Sequence, residues 1–459
     1  MTLLSAFLDI VRDWRPVFSQ PRSHLRATRQ ALGGLLCLGR RTLSRIIWTN
    51  GGQQRSWSAE YFLHSRSSWD PQQLFTPILR RGLALFRGRY IGVAADDTRL
   101  HKTGRCIQQA FYTRDPLSPP FHPNLMLGLR FLQASLLVPL HRRAAVATRA
   151  LPIRFQHAPC VKRPRRNASD EQWEQFRDAR KQHNLSRYFL VLAGELRRAC
   201  DAAGAAAKIL LLVVDGSFCN RTVFRAPLDR THLLARTRKD AKLCFAAQPG
   251  SRRFYAPERF TPEQVRQDSS RPWLLTKIFY GGKRRLVRYK DLGPLYWQGG
   301  ARRRPLRLFV VAPTPYFKRK SGRRYYRQPA YLLTTDLLGP ARTLLQFYFD
   351  RWQIEINHRE EKDTLGVGQA QLWNEISVPK QPVLAVAAYS ALLLASLLAY
   401  GPARGPVYAA LPKWRRQANR PSCLDLVTLL RKQAAQQPEL LQPLVLKSSF
   451  ASFASAAAA

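Results

Sequence analysis

The chain has 459 residues, 45% of them hydrophobic, enough to bury a sizeable core and to exclude a disordered basic tail. Its 75 Lys and Arg against 29 Asp and Glu leave a net charge of +46, which repels itself in a folded state unless a polyanion such as nucleic acid neutralises it. The seven cysteines are odd in number and form no C-x-x-C pair, which argues against a disulfide framework or zinc site and for a reducing compartment.

The opening MTLLSAFLDIVRDW carries Asp9 and Asp13 and has no basic stretch before its apolar run, so it does not read as a signal peptide. Apolar residues recur at helical spacing over 3–17 and 25–47, and residues 1–85 read as a helical N-terminal DNA-binding region. The run at 89–95 predicts a strand leading into Asp96-Asp97-Thr98, and 124–140 predicts a second. Residues 141–168 read as a loop with prolines and HRR and KRPRR clusters; no acid occurs between 116 and 169, against nine Arg or Lys. Ser169 with Gln172 forms a capping-box pattern that opens a helical stretch to about 203, broken near Asn184. The uninterrupted ILLLVV at 209–214 predicts a strand buried on both faces, ending at Asp215-Gly216.

From 221 to 328 the pattern predicts a β-rich module with strands at 242–247, 273–280, 285–289 and 306–311. Residues 292–335 again lack acids, against ten Arg or Lys. A strand is predicted at 330–335, then helices over 341–358 and 380–400. The uncharged run at 383–400 reaches the lower limit for a membrane span, but its alanine content suits a buried helix, and no membrane role is expected. Residues 406–459 read as a C-terminal helical region ending in a low-complexity tail.

In so acid-poor a chain the carboxylates stand out. Asp96-Asp97 and Asp215 end predicted strands, where open α/β sheets place functional groups; either could instead cap the turn that follows. Tyr348, Arg351, Glu355 and Lys362 are separated by three, four and seven residues, which puts them on one face of a regular helix. Phe347, Trp352 and Ile354 fall on other faces as core anchors. The plainer reading is a solvated stripe with Arg351 paired to Glu355. Asp350, Glu360, Glu361 and Asp363 read as surface acids. Three carboxylates from distant segments could hold two divalent ions about 3.5–4 Å apart, and hard oxygen donors suit Mg²⁺ or Mn²⁺.

These residues resemble the DDE transposases of bacterial insertion sequences that carry a Y-x₂-R-x₃-E-x₆-K signature (the family 4 and family 701 type). Tyr348, Arg351, Glu355 and Lys362 match it in full. Asp96-Asp97-Thr98 with Lys102-x-Gly104 is similar to the first-Asp motif, residues 211–216 to the second, and Arg236-Thr-Arg238-Lys239 to a basic segment that follows it. The resemblance covers roughly residues 25–400. It implies an α/β fold: an RNase H-like mixed-sheet catalytic core (86–220 and 329–405) interrupted by the β-rich insertion. It implies Asp97, Asp215 and Glu355 as catalytic residues and ligands of two Mg²⁺ or Mn²⁺ ions, with Asp97 preferred to Asp96 because it directly precedes the Thr. Tyr348, Arg351, Lys362, Lys102, Arg236 and Arg238 would contact DNA. Trp297 would stack on an extruded base, although a packed core aromatic is the commoner role for such a residue. The basic 142–166 segment belongs to no motif of the family.

The activity so implied is cut-and-paste DNA transposition on terminal inverted repeats and target DNA, by a homodimer in a synaptic complex, in a bacterial cytoplasm at the nucleoid. Two alternatives stand beside it: an RNase H-like nuclease without strand transfer, and a catalytically silent, domesticated DNA-binding derivative.

Overall fold

The computed structural model describes the chain apart from residues 55, 116–117, 120, 141–147, 319–321, 415–417, 419, 443 and 445–459. The low-complexity tail and part of the basic 142–166 segment lie outside the described residues.

Helices α1 (Leu3–Arg12), α2 (Pro21–Leu36), α3 (Leu43–Thr49), α4 (Trp57–Ser65) and α5 (Thr76–Leu83) precede strands β1 (Tyr90–His101), β2 (Phe111–Arg114), β3 (Leu125–Pro139) and β4 (Thr148–His157). Helices α6 (Asp170–Gln182) and α7 (Leu185–Ala202) lead to β5 (Ile209–Val214), α8 (Arg221–Arg225) and β6 (Thr231–Arg236). Then come α9 (Pro262–Gln267), β7 (Leu274–Tyr280), β8 (Lys283–Tyr296), α10 (Gln298–Ala301), β9 (Pro305–Val311), β10 (Pro315–Phe317), β11 (Arg324–Tyr326) and β12 (Ala330–Thr334). Helices α11 (Ala341–Asp350), α12 (Gln353–Arg359), α13 (Ser377–Tyr400) and α14 (Cys423–Gln436) complete the chain.

The protein is α/β with mixed parallel and antiparallel pairing, and it divides into two compact units. The first comprises Met1–Phe86, Asp97–Asn184 and Ile354–Ala459; the second comprises Arg87–Asp96 and Leu185–Gln353.

In the first unit β2 and β4 pair antiparallel with β3. Helix α13 packs against α1, α2 and β4. It is long and apolar enough to cross a membrane, yet 72% of its most apolar window is buried inside the protein, as its alanine content suggests. Strand β4 corrects the loop expected at 141–168. Its residues are buried despite Arg149, Pro152 and Arg154, because the chain supplies carbonyls for the charges: Arg149 Nη1 donates to Pro421 O at 2.8 Å. Ser169 caps α6 through the expected reciprocal bonds with Gln172, and the helical stretch breaks at 183–184.

In the second unit the strand order is β1-β5-β6-β12-β9-β8-β7. The β1, β5 and β6 segments run parallel, and the other neighbours are antiparallel. The strands within 221–328 therefore share hydrogen bonds with β5 and β12. No strand forms at 242–247, where only isolated bridges at Leu243, Cys244 and Ala246 occur. Helix α11 seats Leu344 and Leu345 in a core with Leu211, Val213, Leu234, Phe309 and Leu332. It comes close to β1 because residue 92 is glycine: a Cβ there would lie 2.2 Å from Phe347 Cε1.

Candidate active site

The helix expected over 341–358 is not continuous. Helix α11 ends at Asp350, a turn follows at 351–352, and α12 runs to Arg359 before a π turn, Glu360–Thr364, in which Leu365 N donates to Glu360 O at 3.0 Å. A wider turn of this kind alters the angle between successive side chains, so the spacing arithmetic of one regular helix does not apply to Lys362, which nonetheless lines the same cavity as Glu355. Trp352 is 53% exposed instead of anchoring the core, whereas Ile354 is fully buried.

The π turn is held by acids read from the sequence as surface groups. Glu361 is 1% exposed and accepts a 3.0 Å hydrogen bond from Gln133 Nε2 on β3. Burial pushes its carboxyl up to about 8; the neighbouring Glu360 adds to the rise, and Gln133 and Lys362 oppose it. Glu360 accepts from the Tyr389 hydroxyl. A buried chain then runs from Gln133 through Ser135 Oγ to Asn357 Oδ1, and from Asn357 Nδ2 to Tyr389, fixing α12 against β3 and α13. In the second unit Asp350 is also buried and accepts from Gln346 Nε2. The roles of Glu360 and Glu361 were not legible in the sequence, since Tyr389 and Gln133 lie 29 and 228 positions away along the chain.

In the first unit Asp97, Glu355 and Lys362 line one cavity of about 930 Å³. Asp97 reaches it from β1, Glu355 and His358 from α12, and Lys362 from the π turn. Arg40, Arg99 and His101 also line it, as does Asp115, so the cavity carries three carboxylates among cationic and imidazole side chains. His358 was overlooked from sequence, although its place three residues after Glu355 on a helix would have marked it. The Lys362 ammonium is held below its usual range by burial, against the pull of Glu361, Asp363 and Asp97.

The opposite wall is the segment Val367–Gln371, where Gly368 has φ +98°. Lys102 secures it. Taken from the sequence as a DNA contact, Lys102 is instead 2% exposed, and its Nζ donates to Gly368 O at 2.8 Å and Ala370 O at 2.7 Å. The motif that led to that expectation marks a lysine stapling the cavity wall. Burial brings its ammonium down to about 8.

In the second unit β1 and β5 stay in parallel register to Ala95↔Val214, and the next residue on each strand is an aspartate, Asp96 and Asp215. Asp96 forms an ion pair with Arg351 at 3.9 Å. Asp215 caps the following turn, its Oδ1 accepting from Ser217 N at 2.9 Å and Ser217 Oγ at 2.6 Å. That cap is the plainer of its two sequence readings, and it leaves Oδ2 outside those two bonds. Nearby, burial chiefly, with the Asp215 charge adding, pushes the Cys219 thiol up to about 12.

The remaining predicted contacts also lie in the second unit. Tyr348 is half-buried beside the core, edge-on to Phe349. Arg236 is exposed at the end of β6, and Arg238 pairs with Asp240 at 2.6 Å. Trp297 packs edge-on to Phe224 and covers Gly300, where a Cβ would lie 2.1 Å from the indole; a packed aromatic describes it better than a free stacking platform. Among the described residues, no three His, Cys, Asp or Glu side chains form a group that could hold a metal ion.

Compared with models of known protein families and with curated protein sequences, the chain matches none.

Proposed function

We propose that the chain is a transposase of the DDE type: it cleaves DNA at the ends of an insertion sequence and joins them to target DNA. The observation that carries this reading is the meeting of Asp97 and Glu355, 258 positions apart in sequence, in one basic-rimmed cavity with Lys362. Two hard carboxylate donors in such a cavity fit a divalent cation of the Mg²⁺ or Mn²⁺ class. The parallel β1-β5-β6 segments, with aspartates directly after the last paired residues of β1 and β5, support an RNase H-like core.

In this reading Asp97 and Glu355 hold the ions, and Asp215 remains the third carboxylate that the resemblance implies. The ions, when bound, would lower the pKa of an attacking hydroxyl and offset charge on the departing oxygen. Lys362, Arg40 and Arg99 bind and orient the phosphate, Arg as a fork and Lys as a point charge. Water's oxygen first forms a P–O bond as the P–O3′ bond at the element's end breaks, leaving a 5′-phosphate and a 3′-OH whose oxygen has gained a proton. That hydroxyl next attacks a second phosphodiester, forming one P–O bond as another breaks, so a strand is transferred without a net change in bond number. As the resemblance implies, a homodimer would hold the two ends together at the nucleoid.

The test uses purified protein, Mg²⁺ and duplex carrying the DNA that flanks the gene. Glu355→Ala should abolish nicking and retain end binding; nicking at the parental rate by that variant ends the reading. Products that are cut but never joined would favour a nuclease without strand transfer.

A further inference from the structure

We propose that the outer face of the β7–β8 hairpin is a docking surface for the backbone of duplex DNA. The hairpin closes through Gly281 and Gly282, at φ +59° and +77°, the left-handed pair that a two-residue turn between twisted strands requires. From residue 269 to 290 the chain carries no acid. Register pairs Leu275 with Arg288, Lys277 with Leu286 and Phe279 with Arg284, and alternation puts these six side chains on one face. Lys277, Arg284 and Arg288 are exposed there, interleaved with Leu275 and Leu286 at 57% and 60% exposure.

The opposite face is fixed. Ile278, Val287 and Tyr289 are buried in the core against α11, and Gln346 on that helix clips the hairpin by bonding both Phe279 N and Phe279 O at 2.9 Å. Of the hairpin's cations outside this face, Lys290 Nζ donates to the carbonyls of Val265 and Arg266, Arg285 lies over the Tyr280 ring, and Lys283 is exposed beside the turn. Arg288 rests 5.7 Å from the Trp273 ring centroid. The cations on the outer face thus project from a rigid ribbon into solvent. Three positive groups and no negative one, spread over a flat strip with apolar stems between them, complement a row of phosphates.

The proposal rests on DNA being the partner, as in the reading above, but not on catalysis. Affinity for a short random-sequence duplex is measured across a salt series. Each phosphate contact contributes about 0.9 to the slope of log K against log salt. The triple variant Lys277→Gln, Arg284→Gln, Arg288→Gln should therefore bind with a slope shallower by about 2 to 3. The charge-preserving set Lys277→Arg, Arg284→Lys, Arg288→Lys should keep the parental slope. Removing three cations from acid-containing α6 (Arg177, Arg180 and Lys181, each to Gln) should change it by less than about 1. A parental slope in the first variant overturns the proposal, as does an equal loss in the α6 variant. If the first variant precipitates and its soluble fraction keeps the parental slope, the cations serve instead to stop the outermost strand from pairing with another chain, and the proposal fails. Failure of Glu355→Ala to stop cleavage would remove the catalytic reading and leave these slopes standing.

Discussion

The side-chain amide of Gln133 donates to the buried carboxyl group of Glu361 at 3.0 Å, tying β3 to the π turn that carries Lys362. An unfolded glutamate loses its proton near 4.5, whereas this one holds it up to about 8. Between those values the folded chain binds a proton that the unfolded chain has released, so stability falls as pH rises through this window and levels off above it. Glu361→Gln keeps an acceptor for Gln133 and removes the titration. Thermal melts should show the variant more stable than the parent by about 1–3 kcal/mol near pH 9 and equal to it near pH 4. A parallel pH dependence in the two proteins would contradict the assignment.

Asp96 and Asp97 are adjacent on β1 but engaged differently, one with Arg351 and the other in the cavity with Glu355. Asp97→Asn should eliminate Mg²⁺-dependent nicking to background. Asp96→Asn should loosen Arg351 and slow nicking roughly tenfold, the order expected for losing a partly buried charged hydrogen bond. Nicking time courses on the flanking DNA decide between them; the reverse ranking would move the ligand role to Asp96.

Lys102 holds two carbonyls of the cavity wall. Lys102→Ala removes the ammonium from both, leaving Gly368 O only a long 3.5 Å bond from Gln371 Nε2, and should cost about 2–4 kcal/mol in urea unfolding. Lys362→Ala, at a half-buried lysine lining the cavity, should cost under about 1 kcal/mol while reducing cleavage at least tenfold. Equal destabilisation by the two variants would argue that Lys362 is structural as well.

Gly92→Ala inserts a methyl group against the Phe347 ring and should destabilise the second unit by about 1–3 kcal/mol. Phe347→Leu in the same chain should recover part of that loss. The pair is read by a double-mutant cycle of urea midpoints, and strict additivity would show that the two sites do not meet.

Local signals were the legible ones. The ILLLVV run, the Ser169–Gln172 cap, the break at 183–184 and the alanine-rich α13 all declare themselves through neighbours a few residues away. Asp97, Glu355 and Lys362 were marked by spacing and resemblance, and they line one cavity. Strand β4 was hidden because Arg149 and Arg154 look like loop charges; Arg149 finds its acceptor only at Pro421 O, far along the chain, and Arg154 bonds the carbonyl of its neighbour Ile153. Glu360 and Glu361 were hidden for the same reason, since Tyr389 and Gln133 are known as partners only from tertiary packing. The π turn, which holds the buried Glu361, has no local signature either.

Helix α1 lays its apolar face, including Phe7 and Ile10, against α13, whose first residue is made about 365 positions later. At about 5–20 residues per second, ribosomes need roughly twenty to seventy seconds to deliver that partner. During this interval a sticky amphipathic segment has no native seat, and the segment that will fill it is itself greasy enough to be drawn toward a bilayer. Biogenesis, more than equilibrium stability, is therefore where this architecture is vulnerable: nascent chains arrested before residue 377 should be captured by holdase chaperones, and full-length chains released.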